Sequence, residues 1–166
     1  ANYFNKDYKR VAQHLRFPDK SFIWLGDSSN ISLFGQQNWR DGGRTIILTE
    51  GEIDCMSVSK VQNNRYPVVS VPSGSASAKK YIIRELEWLS KFENIILMFD
   101  NDEAGLKASI DCANILPIRK TKIAKQIFEN FSAAKNCRYF FFEKKTLKKF
   151  SSRKKLIFFG IFSGFF

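Results

Sequence analysis

From residue 45 onward the sequence alternates between short β-branched runs and helical segments, and this alternation most constrains the fold. Strands are predicted over residues 45–49, 67–71 and 94–99, helices over residues 53–62, 79–92 and 104–116, and a fourth strand is predicted to open at residues 122–124. Apolar strands that alternate with amphipathic helices are typical of a mostly parallel sheet covered on both faces. The sequence therefore predicts an α/β fold with right-handed crossovers.

The helical segments also predict which side chains share a face, because residues three or four apart are neighbours on a helix. In the first helix the apolar residues that lie roughly on one face are Ile53, Met56, Val58 and Val61. In the second helix the residues predicted to point inward are Ile82, Ile83, Leu86 and Leu89. Pro117 is predicted to stop the third helix, since proline lacks a backbone N–H.

Residues 1–44 do not follow this rhythm and are predicted to be irregular. Residues 8–16 alternate enough to suggest an edge strand, which makes His14 a surface or strand residue. Residues 27–30 and 41–43 have the composition of turns.

Two short acidic segments follow predicted strands, residues 49–54 after the first strand and residues 100–105 after the third. In an open parallel sheet this order puts both segments at the carboxyl ends of strands, where such folds bind ligands. Carboxylates gathered in one place repel one another unless a cation lies between them. Because Mg²⁺ prefers hard oxygen ligands, the sequence predicts a magnesium site at this edge of the sheet.

The net charge of +11 is positive, as is typical of nucleic-acid-binding proteins. Almost all of this charge, however, lies in the C-terminal tail. Residues 1–119 carry 15 Lys and Arg against 14 Asp and Glu, whereas residues 120–166 carry 12 against 2. Residues 125–166 also hold 11 of the 17 phenylalanines, without a helical or strand period. We favour a frameshifted or degenerate tail; the alternatives are an extension that grips single strands and a membrane-surface segment.

Several other classes are disfavoured by the composition. Three scattered cysteines and one histidine argue against a structural zinc site and favour a reducing compartment, so secretion is not expected. The longest apolar run, residues 156–166, is shorter than the ~20 residues of a membrane span. Because the chain begins at Ala1, we expect a fragment or a processed product.

Five ordered motifs carry a resemblance to a known family. They are Glu50-Gly51 within residues 49–54, Asp100-Asn101-Asp102 within residues 95–105, and residues 33–35, 66–70 and 74–80. Together they resemble the Toprim domain of the bifunctional phage-type DNA primase–helicases, to which the mitochondrial Twinkle helicase is related. The resemblance implies a Toprim-type sheet with helices on both faces over residues 45–124, preceded by part of an N-terminal primase subdomain over residues 1–44.

For function, the resemblance implies a nucleotidyltransferase that makes RNA primers during DNA replication. It implies a single-stranded DNA template, ribonucleoside triphosphates, Mg²⁺ (or Mn²⁺), and, in the parent family, a helicase domain and an oligomeric ring. The compartment would be the cytoplasm, an organelle or a phage replisome. Relatives carry a further acidic and lysine-containing segment after the fourth strand, and residues 126–132 contain no counterpart, so the activity of this chain is left open.

The candidate metal ligands are Asp100 and Asp102, whose alternate spacing lets both project toward one ion. Glu50 is expected to bind metal or to act as the general base. Glu52 and Asp54 lie in the first turn of a helix, where they either hold metal through water or stabilise the helix dipole.

The segment around Gly74 offers a second candidate site. Gly74 lets the backbone approach a phosphate, the next helix offers its N-terminus, and Lys79 and Lys80 add charge. An ordinary connection with exposed lysines is equally consistent, and the sequence contains no Walker A loop. Lys20 lies where the family has basic residues beside the active centre, so the resemblance implies contact with nucleotide phosphate.

Two other functions remain open. The same carboxylates could serve a Toprim-type metal-dependent nuclease, which would cleave DNA without making a primer. Alternatively, the chain could be an inactive truncated copy that only binds nucleic acid.

Overall fold

Four parallel strands form the centre of the molecule. The computed structural model describes residues 1–127 with their side chains up to Ala124, and the backbone of residues 138–143. In chain order the elements are β1 (Asn2–Phe4), β2 (Arg10–Arg16), β3 (Phe22–Gly26), β4 (Gly43–Thr49), α1 (Glu52–Val61), β5 (Val68–Ser70), α2 (Ser75–Arg84), α3 (Leu86–Ser90), β6 (Phe92–Met98), α4 (Glu103–Ile115), β7 (Thr121–Ile127) and β8 (Arg138–Glu143). Two short 3-10 helices, Ser28–Asn30 and Gln36–Asn38, lie between β3 and β4.

The main sheet has the strand order β5-β4-β6-β7-β8 in the described part of the chain. β4, β5, β6 and β7 are parallel, and β8 pairs antiparallel with β7. The predicted α/β fold with a mostly parallel sheet is therefore confirmed. The rest of the predicted tail, residues 128–137 and 144–166, lies outside the described residues.

Both faces of this sheet are covered, as predicted, and the side chains alternate between them. Ile46 and Leu48 point into the larger core, which α2, α3 and α4 cover, whereas Ile47 points to the opposite face with α1. The same alternation separates Ile95 from Ile96 in β6. Fully apolar runs in these strands are thus explained by burial on both sides.

The prediction for residues 1–44 is wrong. They contain a three-stranded antiparallel sheet, in the order β1-β2-β3, and the predicted edge strand is its central strand β2. The physical reason is that β1 has only three residues and β3, with the sequence FIWLG, is apolar without alternation. Tyr3 of β1 is fully buried in the larger core, so this sheet shares the core of the main sheet.

The helix faces also differ from prediction. In α1 the buried residue is Cys55, while the predicted face is largely in solvent, with Ile53, Met56 and Val61 all exposed. The predicted second helix is two helices, α2 and α3, separated at Glu85.

Glu85 explains the break between α2 and α3. Its side chain is buried, and its Oε2 accepts a hydrogen bond of 3.1 Å from Gln36 Nε2. Gln36 Oε1 in turn accepts from the backbone N–H of Leu33. Among the described residues, Glu85 Oε1 is buried without a hydrogen-bond partner, 3.7 Å from Arg84 Nε. The bond from Gln36 is thus the one that the buried carboxylate accepts within this part of the chain, and it coincides with the break between the two helices.

The two adjacent isoleucines of α2 provide a test of this burial. Ile82 is 0% exposed and Ile83 is 54% exposed. We expect Ile82→Ala to lower the free energy of unfolding by about 2–5 kcal/mol, as is typical of cavities left in a core. Ile83→Ala should change it by less than about 0.5 kcal/mol, as at other surface positions. Urea unfolding of both variants measures the difference, and equal losses would contradict the described orientation.

Candidate active site

The two acidic segments lie at one edge of the main sheet, as their order in the sequence predicts. Thr49 at the end of β4 is in register with Met98 at the end of β6, so Glu50 and Asp100 follow neighbouring strands. Glu50 Oε1 accepts a hydrogen bond from Ser75 N at 3.1 Å, and Oε2 accepts from Asp100 N at 3.3 Å. One carboxylate therefore joins the loops that follow β5 and β6.

Asp100 lies among other carboxylates. Partial burial raises its pKa above the ordinary value, and the negative charges of Glu50, Asp54 and Asp102 raise it further. The four acids are thus close enough to repel one another. Within residues 1–127, however, no three acidic, histidine or cysteine side chains converge closely enough to hold a metal ion as they stand.

Asp102 is the N-cap of α4, and a backbone N–H of that helix bonds to its side chain. Its Oδ1 accepts a hydrogen bond of 2.7 Å from Gly105 N, the usual geometry of a helix N-cap. Gly105 also packs directly against Asp100, because a Cβ at position 105 would lie 2.3 Å from Asp100 O. Glycine at this position therefore allows the backbone of Asp100 to pack against the first turn of α4.

Asp54 folds back over the start of α1. A Cβ at Gly51 would lie 2.9 Å from Asp54 Oδ2, so the carboxylate occupies the space beside that glycine. The backbone there is held by Thr49, whose Oγ1 donates to Gly51 O at 3.2 Å. Asp54 therefore lies beside Gly51, the residue that follows Glu50.

Glu52 differs from the other acids, because the N-terminal sheet engages it. Its Oε1 lies 2.7 Å from His14 Nδ1 and accepts a hydrogen bond of 2.8 Å from the hydroxyl of Tyr3. Burial disfavours the Glu52 carboxylate, but the hydrogen bonds from His14, its own backbone and Tyr3 outweigh this and lower its pKa. Burial and the charge of Glu52 raise the pKa of the Tyr3 phenol. Glu52 is thus a link between β1, β2 and α1.

The segment around Gly74 contacts the carboxylate of Glu50. Gly74 has φ 72° and ψ −169°, a conformation that is accessible almost only to glycine. A Cβ there would lie 3.6 Å from Glu50 Oε1. The first N–H of α2, that of Ser75, donates to Glu50 and is directed to that carboxylate.

The three candidate phosphate-binding lysines lie on two different elements, α2 and the hairpin between β2 and β3. Lys79 and Lys80 are exposed in the second turn of α2, and Lys80 Nζ lies 5.8 Å from the ring centre of Tyr81. Lys20 is exposed in the hairpin between β2 and β3, where it has φ 68°. All three lysines are thus accessible to a ligand, and their contact with phosphate stays a prediction.

Sequence reasoning missed the roles of His14 and Tyr3. They lie 38 and 49 residues before Glu52, in a region that was predicted to be irregular. The only signal was that His14 is the single histidine of the chain. By contrast, Cys55 and Cys112 are buried as predicted, and burial raises the pKa of each thiol to about 12.

Comparison with protein families identifies the class. The family model described as Toprim-like matches residues 47–136, which is more than half of the chain. The chain therefore belongs to the Toprim-like family.

Comparison with individual proteins narrows this class to phage primases. The chain is 41% identical over 124 residues to a DNA helicase/primase of Enterobacteria phage T3, covering 75% of this chain and 22% of that protein. It is 42% identical to the primase fragment of the bacteriophage T7 primase–helicase, with a TM-score of 0.70, covering 75% of this chain and 52% of that one. The chain is thus homologous to the primase part of phage primase–helicases, and the predicted resemblance is confirmed.

A bacterial primase domain shares the fold alone. The primase domain of Pseudomonas aeruginosa matches with a TM-score of 0.55 at 17% identity. Toprim domains of primases are generally metal-dependent, which agrees with the predicted class of cofactor. No helix in the described part of the chain is long and apolar enough to cross a membrane.

The raised pKa of Asp100 leads to a prediction on stability. In a chelating buffer at neutral pH, Asp100→Asn should raise the free energy of unfolding by up to about 1 kcal/mol, because it removes exposed like-charge repulsion that solvent screens. The ionised form is disfavoured in the folded state, so the gain is present above the raised pKa and disappears as the pH falls below the unfolded pKa. Urea unfolding at several pH values measures this, and a gain that grew toward acid pH would contradict it.

The Glu52 link leads to a second prediction. Tyr3→Phe should lower the free energy of unfolding by about 1.5–3 kcal/mol, because it removes a hydrogen bond to a charged group. The same change should cost less when Glu52 is replaced by Gln. A double-mutant cycle by urea unfolding measures this coupling, with Tyr8→Phe as the control at an exposed tyrosine. Additive effects would show that Tyr3 and Glu52 do not interact.

Proposed function

We propose that this chain is the catalytic Toprim part of a DNA primase that works within a primase–helicase and makes RNA primers on single-stranded DNA. The observation that carries the proposal is the cluster of Glu50, Asp100 and Asp102 beside the ends of β4 and β6 in a homologue of phage primases. We also propose that residues 1–44 belong to an N-terminal primase subdomain and residues 45–124 to the Toprim domain. The tail from residue 125 stays a separate, atypical segment in this proposal.

The chemistry of the cluster fits a divalent metal ion. Its oxygen donors suit Mg²⁺ or Mn²⁺. Partial burial and then the charges of Glu50, Asp54 and Asp102 raise the pKa of Asp100, and a cation would relieve the repulsion among these acids. When bound, such an ion lowers the pKa of a primer 3′-hydroxyl and orients the nucleotide phosphates. We assign Asp100 and Asp102 as the direct ligands, and Asp54 as a ligand through water.

The remaining acids have different roles. Glu50 binds the metal or acts as the general base, and its two backbone hydrogen bonds hold its carboxylate in a fixed orientation. The sequence predicts Glu52 as a possible ligand through water. Its bonds to His14 and Tyr3 favour a different role, which is to hold α1 against the N-terminal sheet.

The substrates follow from the proposed reaction. Ribonucleoside triphosphates are the donors, and we propose that their phosphates contact Lys20, Lys79 and Lys80, with Gly74 allowing close approach of the backbone. These lysines lie on two different elements, so they would serve different nucleotides or different parts of the template. The exposure of all three is the supporting observation.

The partners are proposed from the relatives. A second structure of the T7 system, 36% identical to this chain with a TM-score of 0.70, contains the lagging-strand DNA polymerase and primase domains of two subunits bound to an RNA/DNA hybrid and dTTP. It covers 90% of this chain and 70% of that one. We propose that this chain likewise engages a template strand, beside a helicase domain in an oligomeric ring. A cytoplasmic or organellar replisome, or that of a phage, is the proposed location.

The catalytic assignment can be tested with Asp100→Asn and Asp102→Asn. Each should reduce metal-dependent incorporation of labelled ribonucleotides on single-stranded DNA by at least about a hundredfold, because electrostatic stabilisation at a reacting phosphate contributes that much. Asp111→Asn is the matched control, since Asp111 is an exposed residue of α4 far along the helix from Asp102. Unchanged synthesis in both site variants would refute the assignment.

Two other outcomes identify the alternative functions. Metal-dependent cleavage of DNA without any primer would indicate a Toprim-type nuclease. If Mg²⁺ and Mn²⁺ change neither the melting temperature nor the amide exchange near Asp100, the chain is a copy without a metal site. Both measurements use the unmodified chain.

A further inference from the structure

A row of aromatic and cationic groups extends from the core to the surface of the N-terminal sheet. The rings of His14 and Trp24 are 4.3 Å apart with an interplanar angle of 15°, and those of His14 and Phe22 are 4.9 Å apart with an angle of 19°. The guanidinium of Arg16 lies 5.6 Å from the centre of the Phe22 ring. We call these four residues, Trp24, His14, Phe22 and Arg16, the aromatic ladder.

The inner end of the aromatic ladder is fixed. Trp24 contacts the buried ring of Tyr3 at 4.9 Å, and Tyr3 contacts Phe34 at 5.6 Å. His14 is also bonded to Glu52, which holds its ring in place. A ligand that stacks on the outer end would therefore meet rings that are already ordered, which reduces the entropy lost on binding.

The outer end of the aromatic ladder is open to solvent. Phe22 is 51% exposed although it belongs to a strand, and Arg16 beside it is exposed as well. Lys20 lies in the same hairpin, while the nearby acid, Asp19, is bonded to the backbone and hydroxyl of Ser21. Exposed aromatic faces beside cations are the features by which proteins hold single-stranded nucleic acids.

We propose that the outer end of the aromatic ladder binds a base of single-stranded nucleic acid. The base stacks on Phe22 in place of Arg16, whose guanidinium moves off the ring to pair with a phosphate. The hydrogen bond between His14 and Glu52 joins this platform to the start of α1. Glu52 is two residues beyond Glu50, so the platform and the carboxylate cluster are connected through one short segment. The inference rests on the proposed function only in taking that strand to be the primase template.

Photochemical crosslinking tests the proposal despite the basic tail, because it reports the residue that is contacted. The full chain is irradiated in chelating buffer with a single-stranded oligodeoxynucleotide that contains 5-iodouracil, and the adducts are located by mass spectrometry. We expect an adduct at Phe22 and none at Phe17, a neighbouring phenylalanine that is 41% exposed. Adducts confined to other positions, the tail included, would overturn the proposal.

A competition experiment separates stacking from charge. Two unlabelled competitors are compared, an ordinary oligonucleotide and an abasic strand of equal length and charge. The ordinary oligonucleotide should suppress the Phe22 adduct at a concentration about 5- to 150-fold lower, which is the factor expected for one stacked base. Equal competition would mean that phosphate contacts alone hold the strand, against the proposal.

Two variants complete the test. Phe22→Leu should reduce the preference for strands with bases, while Phe22→Tyr should retain it. Ile23→Ala is the matched control, because Ile23 is 47% exposed on the opposite face of β3. An equal loss of preference in Ile23→Ala would contradict stacking on Phe22.

The outcome is separable from that of the proposed function. Crosslinking in a chelator does not require a metal, so Asp100→Asn and Asp102→Asn should leave the Phe22 adduct unchanged. If primers are made without a Phe22 adduct, the platform is refuted and the primase function stands. If the adduct forms and no primer is made, the primase function is refuted and the platform stands.

Discussion

The two hydrogen bonds that Glu50 accepts, from the backbone of Ser75 and of Asp100, are the constraint on which the site depends. Each donor belongs to a loop that begins where a parallel strand ends, so the strand register sets how far apart the loops lie. A single carboxylate then fixes the start of α2 relative to the Asp100 loop. The site is consequently as rigid as the sheet below it, except where Asp100 and its acidic neighbours repel one another.

Glu50 and Glu52 show how one short segment can hold two parts of a protein together. Glu50 is directed to the loops of the main sheet, whereas Glu52 is directed to Tyr3 and His14 of the N-terminal sheet. Only Gly51 separates them, and its lack of a side chain leaves room for Asp54. The turn between β4 and α1 therefore combines the proposed chemistry with the attachment of the N-terminal sheet.

Much of the fold followed from local sequence, since the apolar, β-branched runs near residues 45–49, 67–71 and 94–99 form the buried strands β4, β5 and β6. The positions of Glu50, Asp100 and Asp102 followed as well, because parallel strands end at one edge of a sheet. The partners of Glu52 did not, since they depend on contacts between distant segments. The break at Glu85 was missed for the same reason: the helical pattern continues through it, and the donor that stops the helix comes from Gln36.

His14 belongs both to the aromatic ladder and to the bond with Glu52, and this double membership limits how the sequence can change. A residue that kept the flat ring without a donor would leave Glu52 with one partner fewer, and a donor without a ring would interrupt the row between Trp24 and Phe22. Replacement at position 14 therefore removes the hydrogen bond to Glu52, the stacking between Trp24 and Phe22, or both. A single substitution there acts on the N-terminal sheet and on the start of α1 together.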